Sequence, residues 1–357
     1  MADFLDPNSP CGSPMTLSFH EQLEQAQPRL QDLIGQYQRA NILVVGDLTV
    51  DEFLTGEVER LSREAPVLIL RHESTRQVPG GGANAVYNVA KLGAKVKAVG
   101  LVGDDSQGVA LKRIFQAAGI DTSGIFTDPD RPTVTKTRIS GHARQSVTQQ
   151  IVRVDRKSDA WPHPHLQAQM AEYIKAHLET VDALICSDYG DGVFSAPVIE
   201  AALAHKYVMV DAQQGLARYQ NAHLFTPNLP EAEAAVGYRI KTPADVLQAG
   251  QDLLELTQAQ RILITRGEDG MSLFSRNGEP EHIPAFNRTD VFDVTGAGDT
   301  VVAALTLALV AGGSFLEASI LGNLAASIVV RQFGTATTSA TEMETTLHNL
   351  LGSELLR

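Results

Sequence analysis

From about residue 41 onward, short apolar runs alternate with longer stretches of helical period. Residues 42–45, 96–102, 183–186, 207–211, 224–226 and 261–265 are strand-sized and rich in Val, Ile and Leu. Between or after them, residues 83–92, 109–118, 231–236 and 243–256 place apolar side chains at helical spacing. Continuous apolar strands alternating with helices predict βαβ units. The expected fold is α/β: a doubly wound, mostly parallel central sheet with helices on both faces. Such sheets bind ligands beyond the carboxyl ends of their strands. Asp47, Asp188 and Asp211 stand at or just past such ends, and Thr265 closes another.

Two segments break the alternation. Residues 51–71 and 133–155 lack helical period and read as antiparallel strands inserted into the α/β unit. They predict either a surface hairpin without a role or a small β-sheet lid. The lid is favoured because the first insertion leaves directly from a strand end on the ligand-binding edge. Before the domain, residues 1–15 are Pro/Gly/Ser-rich and expected to be disordered. A helix follows over 18–39, with Phe19, Leu23, Leu30, Leu33 and Ile34 as its apolar positions and Pro28 kinking or splitting it. Residues 1–40 are thus read as an N-terminal extension that packs outside the catalytic unit. Residues 41–346 form one domain with its lid, and 347–357 form a C-terminal tail.

Composition narrows the function class. The 357 residues carry a net charge of −13, which argues against a nucleic-acid partner. Only Cys11 and Cys186 occur, so neither a disulfide framework nor a zinc ligand spacing exists. A reducing cytoplasm is the expected location. No signal-peptide pattern opens the chain, and its longest apolar run, 301–311, is shorter than the roughly 18 residues that span a bilayer. No membrane association is expected.

The strongest chemical signal is Asp293-Val-Thr-Gly-Ala-Gly-Asp-Thr300, which leads into that apolar run. It describes a helix N-terminus whose free N–H groups at Gly296, Ala297 and Gly298 face an anion, helped by the helix dipole. A carboxylate at such a mouth repels a bound phosphate unless it holds something useful. A hydroxyl about to attack that phosphate is such a thing, so Asp299 reads as the base of a phosphoryl transfer. Asp47 and Asp51 follow the first strand four residues apart. They suit recognition of a polyol, or else a helix cap or loop charge. Pro79-Gly80-Gly81-Gly82-Ala83-Asn84 opens a helix and lets backbone approach a ligand closely. Asn228 and Glu231 fit an ordinary capped helix start, or water-mediated contacts to Mg²⁺ and nucleotide phosphate. Thr265-Arg266-Gly267 is either a plain strand-ending turn or a holder of phosphate or ribose. Neither a dinucleotide fingerprint nor a Walker A loop is present.

Taken in order and spacing, these motifs resemble the ribokinase-like (PfkB) carbohydrate kinases over about 41–346. Gly46-Asp47-x-x-x-Asp51, Leu61-Ser62-x-Glu64-Ala65-Pro66-Val67, Gly80-Gly81-x-x-Asn84-x-x-x-Asn88, Thr135-Lys136-x-Arg138, Ser187-Asp188-Tyr189-Gly190, Thr226-Pro227-Asn228-Leu229 and Gly334-Thr335 carry the likeness. They are most similar to the branch that phosphorylates D-glycero-β-D-manno-heptose 7-phosphate in ADP-heptose synthesis. The resemblance implies ATP and Mg²⁺, leaves activation by a monovalent cation open, and implies a homodimer formed through the lid. Asp299 is similar to the catalytic base and Gly296 to Gly298 to the anion hole. Asp47, Asp51, Gly81, Gly82, Asn84 and Asn88 look like sugar contacts. Asn228 and Glu231 look like the Mg²⁺/phosphate pair, acting on the metal through water. Thr265 and Gly267 look like nucleotide contacts, and Asn323 like a neighbour of the adenine pocket.

Two departures touch the acceptor. The heptose branch usually carries Lys where Asp191 stands, and a second Lys in the turn that here reads Asp211-Ala-Gln-Gln-Gly215. Lys136, Arg138, Arg144, Arg153 and Arg156 in the lid are candidates for the missing charge, or solvated strand faces. A PfkB kinase for another sugar or a nucleoside remains an alternative. So does a non-catalytic sugar- or nucleotide-binding regulator. No nucleotidyl-transferring domain follows residue 340, so that step is expected of another chain.

Overall fold

The structure, a computed structural model, describes residues 18–143, 147–287 and 291–351. The expected disorder of residues 1–15, Cys11 and Arg144 lie outside the described residues. Helix α1 (Phe19–Gln36) leads into β1 (Asn41–Gly46), from which β2 (Leu48–Leu61) and β3 (Leu68–Gly81) fold out as a long hairpin. Then come α2 (Gly82–Lys91), β4 (Lys95–Gly103), α3 (Ser106–Ala117), β5 (Asp121–Asp128), β6 (Val134–His142) and β7 (Gln149–Arg156). The chain continues through α4 (Pro164–His177), β8 (Ala183–Asp188), α5 (Ala196–Leu203), β9 (Val208–Ala212), β10 (Leu224–Phe225), α6 (Leu229–Val236), α7 (Pro243–Thr257) and β11 (Arg261–Thr265). Strands β12 (Met271–Ser275) and β13 (Glu281–Ile283) precede α8 (Ala297–Val310), α9 (Phe315–Val329) and α10 (Ala340–Leu351).

The main sheet runs β13-β12-β11-β10-β9-β8-β1-β4-β5, with every strand in one direction except β12, which pairs antiparallel with both β11 and β13. Strand β1 shows why both faces carry helices. Its side chains alternate, with Ile42 and Val44 in one apolar core and Leu43 and Val45 in the other. Helices α1, α2, α3, α8, α9 and α10 supply the first core, and α4, α5, α6 and α7 the second. Helix α8 is buried along Asp299 to Ala308 because it lies inside the first core. Strand order reverses beside β1: the chain passes first to β4 and β5, then crosses to β8 on the other flank. The crevice beyond β1 and β8 is therefore where a ligand is expected.

Four details depart from the sequence reading. Pro28 lies within α1 without dividing it. The N-terminal helix buries Leu23, Leu30, Leu33 and Ile34 in the same core as the sheet and packs on α10. The second sheet, β3-β2-β6-β7, is not wholly antiparallel: β2 and β6 pair in parallel from Thr49↔Val134 to Glu57↔His142. Its first hairpin is also longer than expected. Strand β2 begins at Leu48 and β3 ends at Gly81, so two of the three glycines belong to a strand and not to a loop.

Candidate active site

A cavity of about 820 Å³ opens at the carboxyl edge of the sheet, between the second sheet and the N-terminus of α8. Its wall includes Asp51, Gly81, Lys136 and Arg138 on the second-sheet side. Asn228, Glu231, Thr265, Gly267 and Asn323 line the other end, with Gly296, Ala297, Gly298 and Asp299 between. Residues spread over more than 270 positions of sequence thus share one enclosure, built from strand ends and helix starts at this edge together with β2 and β6 of the second sheet and the middle of α9.

Gly296 caps the N-terminus of α8, and its φ of 77° is left-handed and suits glycine. A Cβ there would meet Asn84 Nδ2 at 2.5 Å. The N–H of Ala297 donates to the Val294 carbonyl at 3.2 Å, so it is not free as expected. The N–H groups of Gly296 and Gly298 have no hydrogen-bond partner among the described residues. Those two remain to meet an anion. The approach to the helix is held by Asp293, which accepts N–H bonds from Thr295 at 2.9 Å and Gly334 at 3.0 Å.

Asp299, in the first turn of α8, is 1% exposed. Asn84 Nδ2 donates to its Oδ2 at 2.9 Å, and the Tyr189 hydroxyl lies 3.2 Å from both carboxylate oxygens. Burial pushes the Asp299 carboxyl up to about 7, opposed by those two hydrogen bonds, with the Asp51 charge raising it and Lys136 lowering it. A carboxyl near 7 is suited to taking a proton at neutral pH. Behind Asn84 stands Asn88, which donates to Asn84 Oδ1 at 3.1 Å and accepts from Thr300 Oγ1 at 3.0 Å. Asn88 is buried and does not line the cavity. The structure therefore places it as support for Asn84, not as a sugar contact.

Asp47 departs further from expectation. Its carboxylate is turned away from the cavity and accepts N–H bonds from Tyr189 at 2.8 Å, Asp191 at 3.1 Å and Val193 at 3.0 Å. Burial, then the neighbouring Asp188 charge, raises it to about 7. Its pairing with Asp51 on the sequence misled because β2 begins between them and sends them to different surroundings. Gly82 likewise meets backbone: a Cβ there would lie 2.8 Å from the Asp47 nitrogen, so glycine lets α2 approach β1 closely. Asp51 does face the cavity, paired with Arg138 at 2.6 Å. Lys136 Nζ sits 5.4 Å from the Tyr189 ring centre and forms no ion pair among the described residues.

Asn228 and Glu231 form a reciprocal cap on α6, each side chain bonded to the other's backbone N–H at 2.9 Å. They also line the cavity, so the structural and ligand readings coexist. Burial raises Glu231, and raises Asp211 well above the carboxylate range with help from the Asp299 and Glu231 charges. Asp211 Oδ2 would lie 3.7 Å from a Cβ placed on Gly298. The carboxylate of Glu231 and the side-chain amide of Asn228 put oxygen donors on this wall, of the kind that suits a hydrated divalent cation. Asn323 Nδ2 donates to the Pro284 carbonyl at 2.7 Å, which leaves its side-chain oxygen available. Of the two departures, Asp191 lies off the cavity and pairs with Lys157 at 3.6 Å, whereas Gln213 lines the wall.

Sequence reasoning set Asp211 at the ligand-binding edge but gave neither it nor Tyr189 a chemical role. Tyr189 follows β8 at the switch point, and Asp211 lies near the carboxyl end of the neighbouring β9.

A nucleotide-sized crevice ending in a buried carboxylate and an open helix N-terminus defines the class of a phosphoryl-transferring enzyme. The pfkB family carbohydrate kinase profile matches residues 39–342, and the chain belongs to that family of sugar phosphotransferases. Among curated proteins it is 40% identical over 320 residues to the bifunctional protein HldE of Pelobacter propionicus, covering 88% of this chain and 64% of that one. It is 38% identical to the protein of the same name in Geobacter sulfurreducens, with the same coverage. The chain thus spans about 64% of the length of these relatives. Two solved structures share the fold. Phosphofructokinase-2 from Escherichia coli in complex with potassium has a TM-score of 0.70 at 20% identity, over 87% of this chain and 99% of that one. Arabidopsis thaliana ribokinase complexed with ribose and ATP has a TM-score of 0.66 at 20% identity, over 88% and 99%. Among the described residues no helix is long and apolar enough to cross a membrane.

Proposed function

We propose that this kinase transfers the γ-phosphoryl group of ATP to the anomeric hydroxyl of D-glycero-β-D-manno-heptose 7-phosphate, giving the 1,7-bisphosphate. The observation that carries the reading is the Asp299 carboxylate, buried on the cavity wall one turn into α8, beside unpartnered N–H groups of Gly296 and Gly298. Asp299 accepts the acceptor's proton as the new O–P bond forms and the bond from the γ-phosphorus to its bridging oxygen breaks, releasing ADP. The helix-terminal N–H groups meet the charge spread over the transferring oxygens.

Thr265, Gly267 and Asn323 hold the nucleotide in this reading, at the cavity end away from the second sheet. Asn228 and Glu231 would hold Mg²⁺ there through water, and the ion would supply neutralisation of the phosphate charge. The sugar lies against Asp51 and Gly81 beneath the lid, while Asn84, buried behind the cavity wall, acts on it through Asp299. The heptose assignment rests on the relatives named HldE and on Lys136, an ammonium left unpaired on the acceptor side. The missing lysine at Asp191 does not weigh against a phosphorylated acceptor, since that position is off the cavity. The lid also supplies the dimer contact: β7 is an edge strand, exposed throughout, that carries Ile151, Val152 and Val154. A reducing cytoplasm, where ATP is abundant, suits the buried free thiol of Cys186.

The test is ADP release from MgATP with heptose 7-phosphate, unphosphorylated heptose, fructose 6-phosphate, ribose and adenosine as acceptors. The highest kcat/KM is expected with heptose 7-phosphate, and preference for any other acceptor removes the assignment.

A further inference from the structure

Tyr189 occupies a position that the reaction itself does not explain. It is the first residue after β8, at the point where strand order reverses. Its hydroxyl touches no polar atom among the described residues except the two oxygens of Asp299, both at 3.2 Å. Equal distances place the phenol on the bisector of the carboxylate, where one proton is shared between two acceptors. Asn84 occupies Oδ2 from another direction at 2.9 Å. Together the two donors fix the plane of the carboxylate and leave the outer side of Oδ1 for a third partner.

The tyrosine is in turn held from behind. Its own N–H donates to Asp47 Oδ2, and Asp47 also takes the N–H groups of Asp191 and Val193. One buried carboxylate thus gathers the 189–193 loop and fixes where the phenol points. On the other face of the ring stands Lys136.

We propose that Tyr189 is a positioning residue for the base, its hydroxyl aligning the Asp299 carboxylate toward the acceptor and favouring its ionised form, with Asp47 as the anchor of the loop that carries it. The proposal rests on the reading of Asp299 as the base. A donor to an ionised carboxylate stabilises that form, and its strength sets how readily the group takes a proton. Burial, reinforced by the Asp299 charge, keeps the phenol protonated well beyond its usual range, so it stays a donor wherever the enzyme works. The other charged groups facing Asp299 are Asp51 from β2, Lys136 from β6 and Asp211 from β9. None of them changes when the phenolic oxygen alone is removed.

Tyr189→Phe deletes that oxygen and keeps the ring under Lys136. The readout is the titration of Asp299 in acceptor-free protein, followed by carbon-13 NMR of labelled aspartate and assigned by subtraction of Asp299→Asn. The midpoint is expected to rise by about one to two pH units, the worth of one hydrogen bond to a charged group. The acid limb of kcat/KM with heptose 7-phosphate should rise with it, while ATP affinity stays the same. Should Tyr189→Phe fold poorly, 3-fluorotyrosine at position 189 tests the same point with the opposite sign. It keeps the shape and strengthens the donor, so the midpoint should fall. An unmoved midpoint in the variant that is examined overturns the proposal and leaves Asp299 as base. A moved midpoint with full turnover in Asp299→Asn instead overturns the base reading and the positioning role with it.

Discussion

Asn84 Nδ2 donates to Asp299 Oδ2 at 2.9 Å across 215 residues of chain. The contact joins the first turn of α2 to the first turn of α8, so two helix N-termini are set against each other over the reacting centre. It also explains why Gly296 is glycine, since that residue faces the same amide.

Asp299→Asn is expected to lower kcat by roughly 10²–10⁴-fold, the usual worth of general-base catalysis. Fold and ATP affinity should be retained, because the amide keeps the shape and the helix position. Turnover with heptose 7-phosphate and calorimetric titration with ATP measure the two halves of this prediction. Unchanged turnover removes Asp299 from the chemistry.

Gly296→Ala should hurt activity more than stability. The left-handed φ costs about 1–2 kcal/mol for a residue with a Cβ. The new methyl would also displace Asn84 Nδ2 and with it the Asp299 carboxylate, a misplacement worth roughly 10²-fold in rate. Thermal melting set beside kcat tests this. A loss of activity no larger than the stability loss explains would count against it.

Stability of the ligand-free protein should fall as pH rises from about 6.5 to 8.5. Burial raises Asp47 and Asp299 to about 7 and lifts Asp211 well above the carboxylate range. The folded chain therefore keeps protons that the unfolded chain, with aspartates near 3.9, has already released. That stabilisation is complete below the unfolded value and is lost as pH passes the folded one. His223 and His282, lowered by burial, act in the opposite direction below about 6.5, so the comparison starts there. Denaturant titrations across the window, repeated on Asp299→Asn, should give a shallower slope for the variant. Equal slopes would mean Asp299 is ionised throughout.

Lys136→Met tests where the acceptor's phosphate lies. Losing one charge-assisted contact is worth roughly ten- to hundredfold in KM for heptose 7-phosphate. The unphosphorylated heptose should be nearly indifferent. If both acceptors suffer alike, the phosphate is held elsewhere.

The lid contact predicts that Val152→Lys combined with Val154→Lys converts dimer to monomer in sedimentation velocity. These residues share one face of an exposed edge strand. A wild-type chain already monomeric at micromolar concentration excludes the contact.

Much of this architecture was legible because burial on both faces writes itself into a parallel strand as an uninterrupted apolar run. The run at 42–45 and the one at 183–186 gave β1 and β8 in that way, and Gly-Ala-Gly-Asp marked the start of α8. Strand β5 was missed because Asp121-Thr-Ser-Gly is polar and the strand lies at the sheet edge. The parallel pairing of β2 with β6 was beyond reach, since residues about 85 apart choose partners by tertiary packing and not by local pattern. Direction was the harder failure at the site. A sequence shows that Asp47 follows a strand, but not that three backbone N–H groups will claim its carboxylate. Tyr189 was hidden for the same reason, as an aromatic residue at a strand end reads equally well as packing.

Strand β3 passes into α2 at Gly81 with no connecting loop. The hairpin that walls one end of the cavity and the amide that holds the base are therefore joined by backbone alone. No slack lies between them to absorb a change in one before it is felt by the other.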